Sequence, residues 1–188
     1  DANGGWNLDE AEHAVHALTE FDLEYVEQPC ATVPELAELR ARLKYMGIPV
    51  AADESIRKSS DPLAVAREKA ADLLVVKAQP LGCITHALQI ITAAGLPVVV
   101  SSALDTAIGL SQGAALAAAL PTLDYDCGLG TSSLFLDDVA DLRPVDGSIP
   151  AARVTPDSAA LTRLAAAHDR RDWWLERLTR CYAVLDAR

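Results

Sequence analysis

The sequence predicts an α/β chain of parallel βα units, the C-terminal part of a TIM-like (β/α) barrel. Two observations predict it. Polar or charged residues stand at strand-like ends at Asp1, Glu27, Asp53, Lys77 and Ser101, in steps of 24 to 26 residues. The apolar runs leading to them are rich in Val, Leu and Ala and nearly continuous, as in strands buried on both faces. In a parallel barrel, the C-terminal strand ends converge on one mouth, where functional groups gather.

The predicted strands are 23–28, 49–54, 73–79 and 97–103, with a weaker fifth at 123–130. Asn7 with Glu10, and Thr32 with Glu35, pair an N-cap with its N3 partner, and Pro34 suits a first helical turn. Ser60 or Asp61, before Pro62, opens the helix LAVAREKAAD. Gly47, Gly95 and Pro97 punctuate the returns to strand. Thr106 to Leu120 is an Ala- and Gly-rich helix suited to close packing. The rhythm breaks after about residue 136: DLRPVDGSIPAARVTPD reads as irregular or hairpin-like, and 157–186 as one or two helices. Trp173 and Trp174 there are read as packing residues. Residues 1–136 thus form the partial barrel, and 137–188 an extension packing on the barrel or on a capping domain. A closed barrel of this type has eight strands. The chain supplies five and the tip of one that would precede Asp1. An upstream segment of the same protein is therefore expected.

The 188 residues suffice for one sizeable core. A formal charge of −11 argues against sequence-independent nucleic-acid binding, which needs a basic face. No apolar run has membrane-spanning length, and no signal-peptide pattern opens the chain, so no membrane partner is expected. The four cysteines are far apart and form no CxxC pair, which suits reduced thiols and a cytoplasmic location. GLGT at 128–131 lacks the spacing of a dinucleotide fingerprint. Oligomeric state is left open.

Asp1, Glu27 and Asp53 place three hard oxygen donors on successive strand ends, a set suited to Mg²⁺. A lone acidic residue there is more often a cap or an ion-pair partner; three at matched spacing favour ligation. Lys77 closes the apolar run VVK and either snorkels to solvent or points into the mouth. Opposite a metal it can move a proton or hold a developing anion. Such a site would take a small carboxylate substrate.

These positions also carry a family resemblance. DANGGW, EYVEQP, VAADES and VVKAQPLG resemble the barrel motifs of the enolase superfamily, muconate-lactonizing subgroup. VEQPCATVPEL, AADESIR, KAQPLG, VVSSALDTAIGL and CGLGT narrow the likeness to actinobacterial o-succinylbenzoate synthases, over about residues 1–145. The resemblance implies the dehydration of 2-succinyl-6-hydroxy-2,4-cyclohexadiene-1-carboxylate in menaquinone biosynthesis. It implies Asp1, Glu27 and Asp53 as Mg²⁺ ligands, and Lys77 as the cation stabilising the dienolate. It implies Asn3, Gly82, Ser101, Ser102 and Gly128 as substrate-binding positions, with Gly82 and Gly128 letting backbone approach the ligand. The family's general base, the second lysine of a KxK motif, has no match in these residues, so this polypeptide alone is expected to be inactive. The α+β capping domain has no match either. Cys83 stands where a second Gly is expected. N-acylamino acid racemases and dipeptide epimerases share the lysine pair and stay open as alternatives, as does a non-catalytic fragment.

Overall fold

The computed structural model describes residues 1–186. Four strands, β1 (Val26–Glu27), β2 (Val50–Ala52), β3 (Leu73–Val76) and β4 (Val98–Val100), form one parallel sheet in sequence order. The register pairs Glu27 with Ala51, Ala51 with Leu73, and Val75 with Val99. Helices α1 (Leu8–Ala17), α2 (Val33–Leu43), α3 (Glu54–Arg57), α4 (Ala64–Arg67), α5 (Ile84–Ala94) and α6 (Ala107–Ala119) intervene; α7 (Ser158–Arg163) and α8 (His168–Asp186) follow.

Side chains of a strand alternate between its faces. Val26, Val50, Ala52, Leu74, Val76, Val98 and Val100 join the large core under the helices. Ala51, Leu73, Val75 and Val99 form a second, smaller cluster with Tyr25 and Tyr125. That second cluster is the inner face of the barrel arc. Continued by one period, it brings Glu27, Asp53, Lys77 and Ser101 to the strands' C-terminal ends.

The helices form where expected. Asn7–Glu10 and Thr32–Glu35 are both complete capping boxes. Helix α2 buries Leu36, Leu39 and Leu43 on one stripe, and α5 ends at Gly95 in the left-handed region. Helix α6 packs closely on the loop at Leu129: a Cβ on Gly113 would lie 2.6 Å from Leu129 Cδ2.

Three expectations change. The run 123–130 forms a single parallel bridge, Ser101 with Gly128, instead of a strand. Gly128 N–H donates to Val100 O at 2.9 Å and Ser102 N–H to Gly128 O at 3.0 Å, but Asp124, Asp126 and Gly128 are poor strand formers. The helix in LAVAREKAAD is cut to Ala64–Arg67, because the chain turns at Lys69 with a positive φ of 54°. Trp173 and Trp174 do not pack into the core. They meet edge to face at 4.7 Å, with Arg170 and Arg177 over their rings, and α8 has no buried residue.

The other end of the sheet is also covered. Ala2, Gly4 and Trp6 donate N–H groups to Glu27 O, Gln28 O and Pro29 O at 3.1, 2.7 and 3.2 Å. Beyond residue 136, Asp146-Gly147 makes the tight turn of a small hairpin, and Leu142 and Ala160 are buried. No helix among the described residues is long and apolar enough to cross a membrane.

Leu39 is fully buried in α2. Leu39→Ala is expected to destabilise by about 2–5 kcal/mol, whereas Glu38→Ala, on the exposed face, changes stability by under about 1 kcal/mol. Denaturant unfolding of the two variants checks this.

Candidate active site

Glu27 ends β1, Asp53 follows β2, Lys77 follows β3 and Ser101 follows β4, so the sheet brings four of the predicted residues to one rim. Asp1 joins them through the residue 1–6 segment, which lies alongside β1.

Asp53 is the centre of the rim. It is 1% exposed, yet it carries a carboxylate. Oδ1 accepts from Arg57 Nε at 2.8 Å, and Oδ2 pairs with Lys77 Nζ. Lys77, 12% exposed at its side chain, therefore neither snorkels to solvent nor stands apart from the carboxylates. Arg57 also pairs with Glu54, whose second oxygen is buried without a partner. Glu27 is half-buried. Burial pushes its carboxyl above the ordinary range and the nearby Asp53 charge adds to this, while Lys77 opposes it.

Asp1 is exposed, and Asn3 binds both its oxygens: N–H to Oδ1 at 2.8 Å and Nδ2 to Oδ2 at 2.9 Å. Asn3 thus orients an acidic residue. Ser102 uses its hydroxyl within the fold, donating to Gly128 O at 2.9 Å and lying 3.1 Å from Thr131 Oγ1. Ser101, half-buried, lies against Gly128, where a Cβ would come within 2.8 Å of Ser101 Oγ. The absence of a side chain at Gly128 thus makes room for Ser101. Gly82 has open space around it; its φ of +96° is what calls for glycine there. Cys83 is the N-cap of α5, accepting from His86 N–H through its sulfur.

No three His, Cys, Asp or Glu side chains gather closely enough to hold a metal ion among the described residues. The geometric reason is visible. The Asp1 carboxylate is turned onto Asn3, and that of Asp53 onto Lys77 and Arg57. The donor chemistry nonetheless fits Mg²⁺: all three are carboxylates on adjacent rim segments, and Glu27 sits where a further positive charge would be favourable. A pocket of about 380 Å³ lies beside the rim, with Asn3, Gln28, Glu54, Ser55 and Lys58 in its wall. Its walls are residues that follow the carboxylates in sequence, and Glu27, Asp53 and Lys77 take no part in it.

Sequence reasoning missed two residues. Arg57 is four positions after Asp53 on α3, a spacing that favours pairing. Gln28 is a wholly buried amide directly after Glu27. Its signal was a polar residue inside an apolar run.

The family described as Enolase C-terminal domain-like matches residues 1–156. An o-succinylbenzoate synthase of Mycobacterium tuberculosis is 56% identical over 187 residues, 98% of this chain and 56% of the relative. One from Mycobacterium ulcerans is 54% identical over the same shares. The chain thus spans 56% of the length of these curated relatives. Among solved structures, muconate lactonizing enzyme from Pseudomonas putida superposes with a TM-score of 0.76 at 25% identity, covering 87% of this chain and 48% of that one. A probable mandelate racemase from Alicyclobacillus acidocaldarius gives 0.72 at 33% identity, covering 89% and 46%.

Asp53 has two cationic partners, so either can hold it alone. Lys77→Met and Arg57→Met are each expected to destabilise modestly. The double variant should lose more than the two losses added, by about 0.5–3 kcal/mol, because only then is a buried carboxylate unpaired. A double-mutant cycle in denaturant measures this; strict additivity would show that the two pairs do not share the load.

Proposed function

From the premise that the chain belongs to the enolase C-terminal domain-like family, we propose that it is the barrel portion of an o-succinylbenzoate synthase, a carbon–oxygen lyase. The observation that carries this reading is the 54–56% identity to curated synthases over nearly the whole chain. The proposed reaction removes the proton next to the carboxylate of 2-succinyl-6-hydroxy-2,4-cyclohexadiene-1-carboxylate. The ring hydroxyl then leaves as water, and o-succinylbenzoate, an aromatic ring, results.

Asp1, Glu27 and Asp53 would hold Mg²⁺. When bound there, the ion would supply positive charge against the anion formed as the proton leaves. Lys77 presents a second, fixed positive charge, its ammonium anchored by Asp53 at the rim. An anionic ring over it is held by charge and by contact with the ring face. Ser101 would hydrogen-bond the succinyl carboxylate; Ser102 donates to Gly128 O in the adjoining loop. Residues 1–188 contain no KxK pair, so the roles assigned here are stabilisation and binding rather than proton abstraction.

The same reading assigns 1–136 to the barrel and 137–188 to an extension that packs on the barrel or on a capping domain. Burial of Leu142 and Ala160 supports packing on the barrel. In α8, Leu175, Leu178, Tyr182 and Leu185 recur at helical spacing and stay exposed, a stripe suited to a further covering surface. A cytoplasmic location is supported by the free state of all four cysteines.

An absorbance assay of the full-length protein with this substrate tests the proposal. Aromatisation that requires Mg²⁺ and stops with EDTA is expected. Lys77→Ala should lower kcat by about 10²- to 10³-fold with the fold intact. No turnover by folded full-length protein would overturn the assignment, and racemisation of N-acylamino acids would redirect it.

A further inference from the structure

Strand alternation places Gln28 with Val26, on the helix side of β1 and away from the barrel interior. A buried amide is unfavourable there unless all its polar atoms are satisfied. Gln28 is 0% exposed, and its amide is satisfied four times. Oε1 accepts from Asp53 N–H at 3.0 Å and Ser55 N–H at 3.2 Å. Nε2 donates to Cys30 O at 2.9 Å and Ser55 Oγ at 2.8 Å.

The backbone of Gln28 is equally committed. Its N–H donates to Ala51 O at 2.8 Å, and its carbonyl accepts from Gly4 N–H at 2.7 Å. Its φ is +37°, a region that a residue with a side chain adopts only when its surroundings compel it. One residue therefore ties together the segment bearing Asp1, the strand bearing Glu27 and the turn bearing Asp53. At Asp53 the chain leaves the extended region, with φ −116° and ψ −74°. Its N–H is received by the Gln28 side chain rather than by a strand carbonyl.

We propose that Gln28 is a positioning residue: its side-chain amide sets the place of Asp53 on the rim, and through it the rim's affinity for a divalent cation. The second clause rests on the cation-site reading above; the first stands without it. Groups behind metal ligands typically change affinity or activity by about 10- to 100-fold when lost.

The test uses the full-length protein and its Gln28→Met and Ser55→Ala variants. Free Mn²⁺, followed by electron paramagnetic resonance, reports binding without any substrate. Amide hydrogen exchange reports Asp53 and Ser55, and thermal unfolding reports the fold. Gln28→Met keeps the volume but loses the amide; its Mn²⁺ Kd is expected to rise by about 10- to 100-fold. Exchange at Asp53 and Ser55 should quicken while Ala52 in β2 stays protected.

Wild-type Mn²⁺ affinity in folded Gln28→Met overturns the proposal. So does a loss in Gln28→Met that only tracks melting temperature, with the Ala52 amide quickening alongside those of Asp53 and Ser55, the mark of a general structural role. Should Gln28→Met not fold, Ser55→Ala decides: a raised Kd with the fold kept supports positioning, and an unchanged Kd overturns it. Wild-type protein that binds no Mn²⁺ removes the cation-site reading. Positioning of Asp53 is then judged by exchange: quickened Asp53 and Ser55 amides support it, and unchanged ones overturn it.

Discussion

A carboxylate with almost no access to solvent organises the rim. Asp53 carries charge at 1% exposure, which is tolerable only because Lys77 and Arg57 face it. Those two cations come from different places, one from the end of β3 and one from the first turns after β2. The Gln28 amide adds a third tie, from the end of β1 to the Asp53 backbone. Buried ion pairs contribute little net stability, since desolvation offsets most of the attraction. Leaving Asp53 with neither partner is costly, however, so the arrangement holds the strand ends in a single geometry.

Much of the fold could be read from the sequence because it rests on short-range rules. The four apolar runs became β1 to β4 because Val and Leu runs bounded by Gly and Pro can be buried on both faces. The capping boxes at Asn7 and Thr32 formed because both partners lie within one turn of the helix start. Alternation also fixed which side chains share a face. That is why Glu27, Asp53, Lys77 and Ser101, all at odd positions, reach the same rim.

What could not be read depends on contacts between segments distant in sequence. The Lys77–Asp53 pair joins residues 24 apart. Periodicity can put both on one rim, but it cannot say that they touch. Gln28 lies on the opposite face from the carboxylates, so a search for groups pointing into the mouth passes over it. Gly82 and Gly128 were both read as room for a ligand. The backbone angle of the first and the close approach of Ser101 to the second are further demands for glycine that only the folded chain displays. The tryptophans of α8 were read as packing residues, but what they pack on depends on what lies opposite. In the described chain they meet each other and two arginines.

The electrostatics of the rim also constrain the order of events in the proposed reaction. Asp1, Glu27, Asp53 and Glu54 bring four carboxylates to neighbouring positions, and Lys77 and Arg57 are both engaged by Asp53. The raised carboxyl of Glu27 shows the consequence: burial and the Asp53 charge together disfavour its ionised form. Such a rim repels an anionic substrate, and the chain's overall charge of −11 offers no compensating attraction at long range. On the proposed reading the same carboxylates would attract a divalent cation. Occupation by the cation would lower the cost of ionising Glu27 and cancel the net negative charge that the substrate meets. On that reading the rim's composition would favour the cation binding before the carboxylate, with Lys77 already held against Asp53.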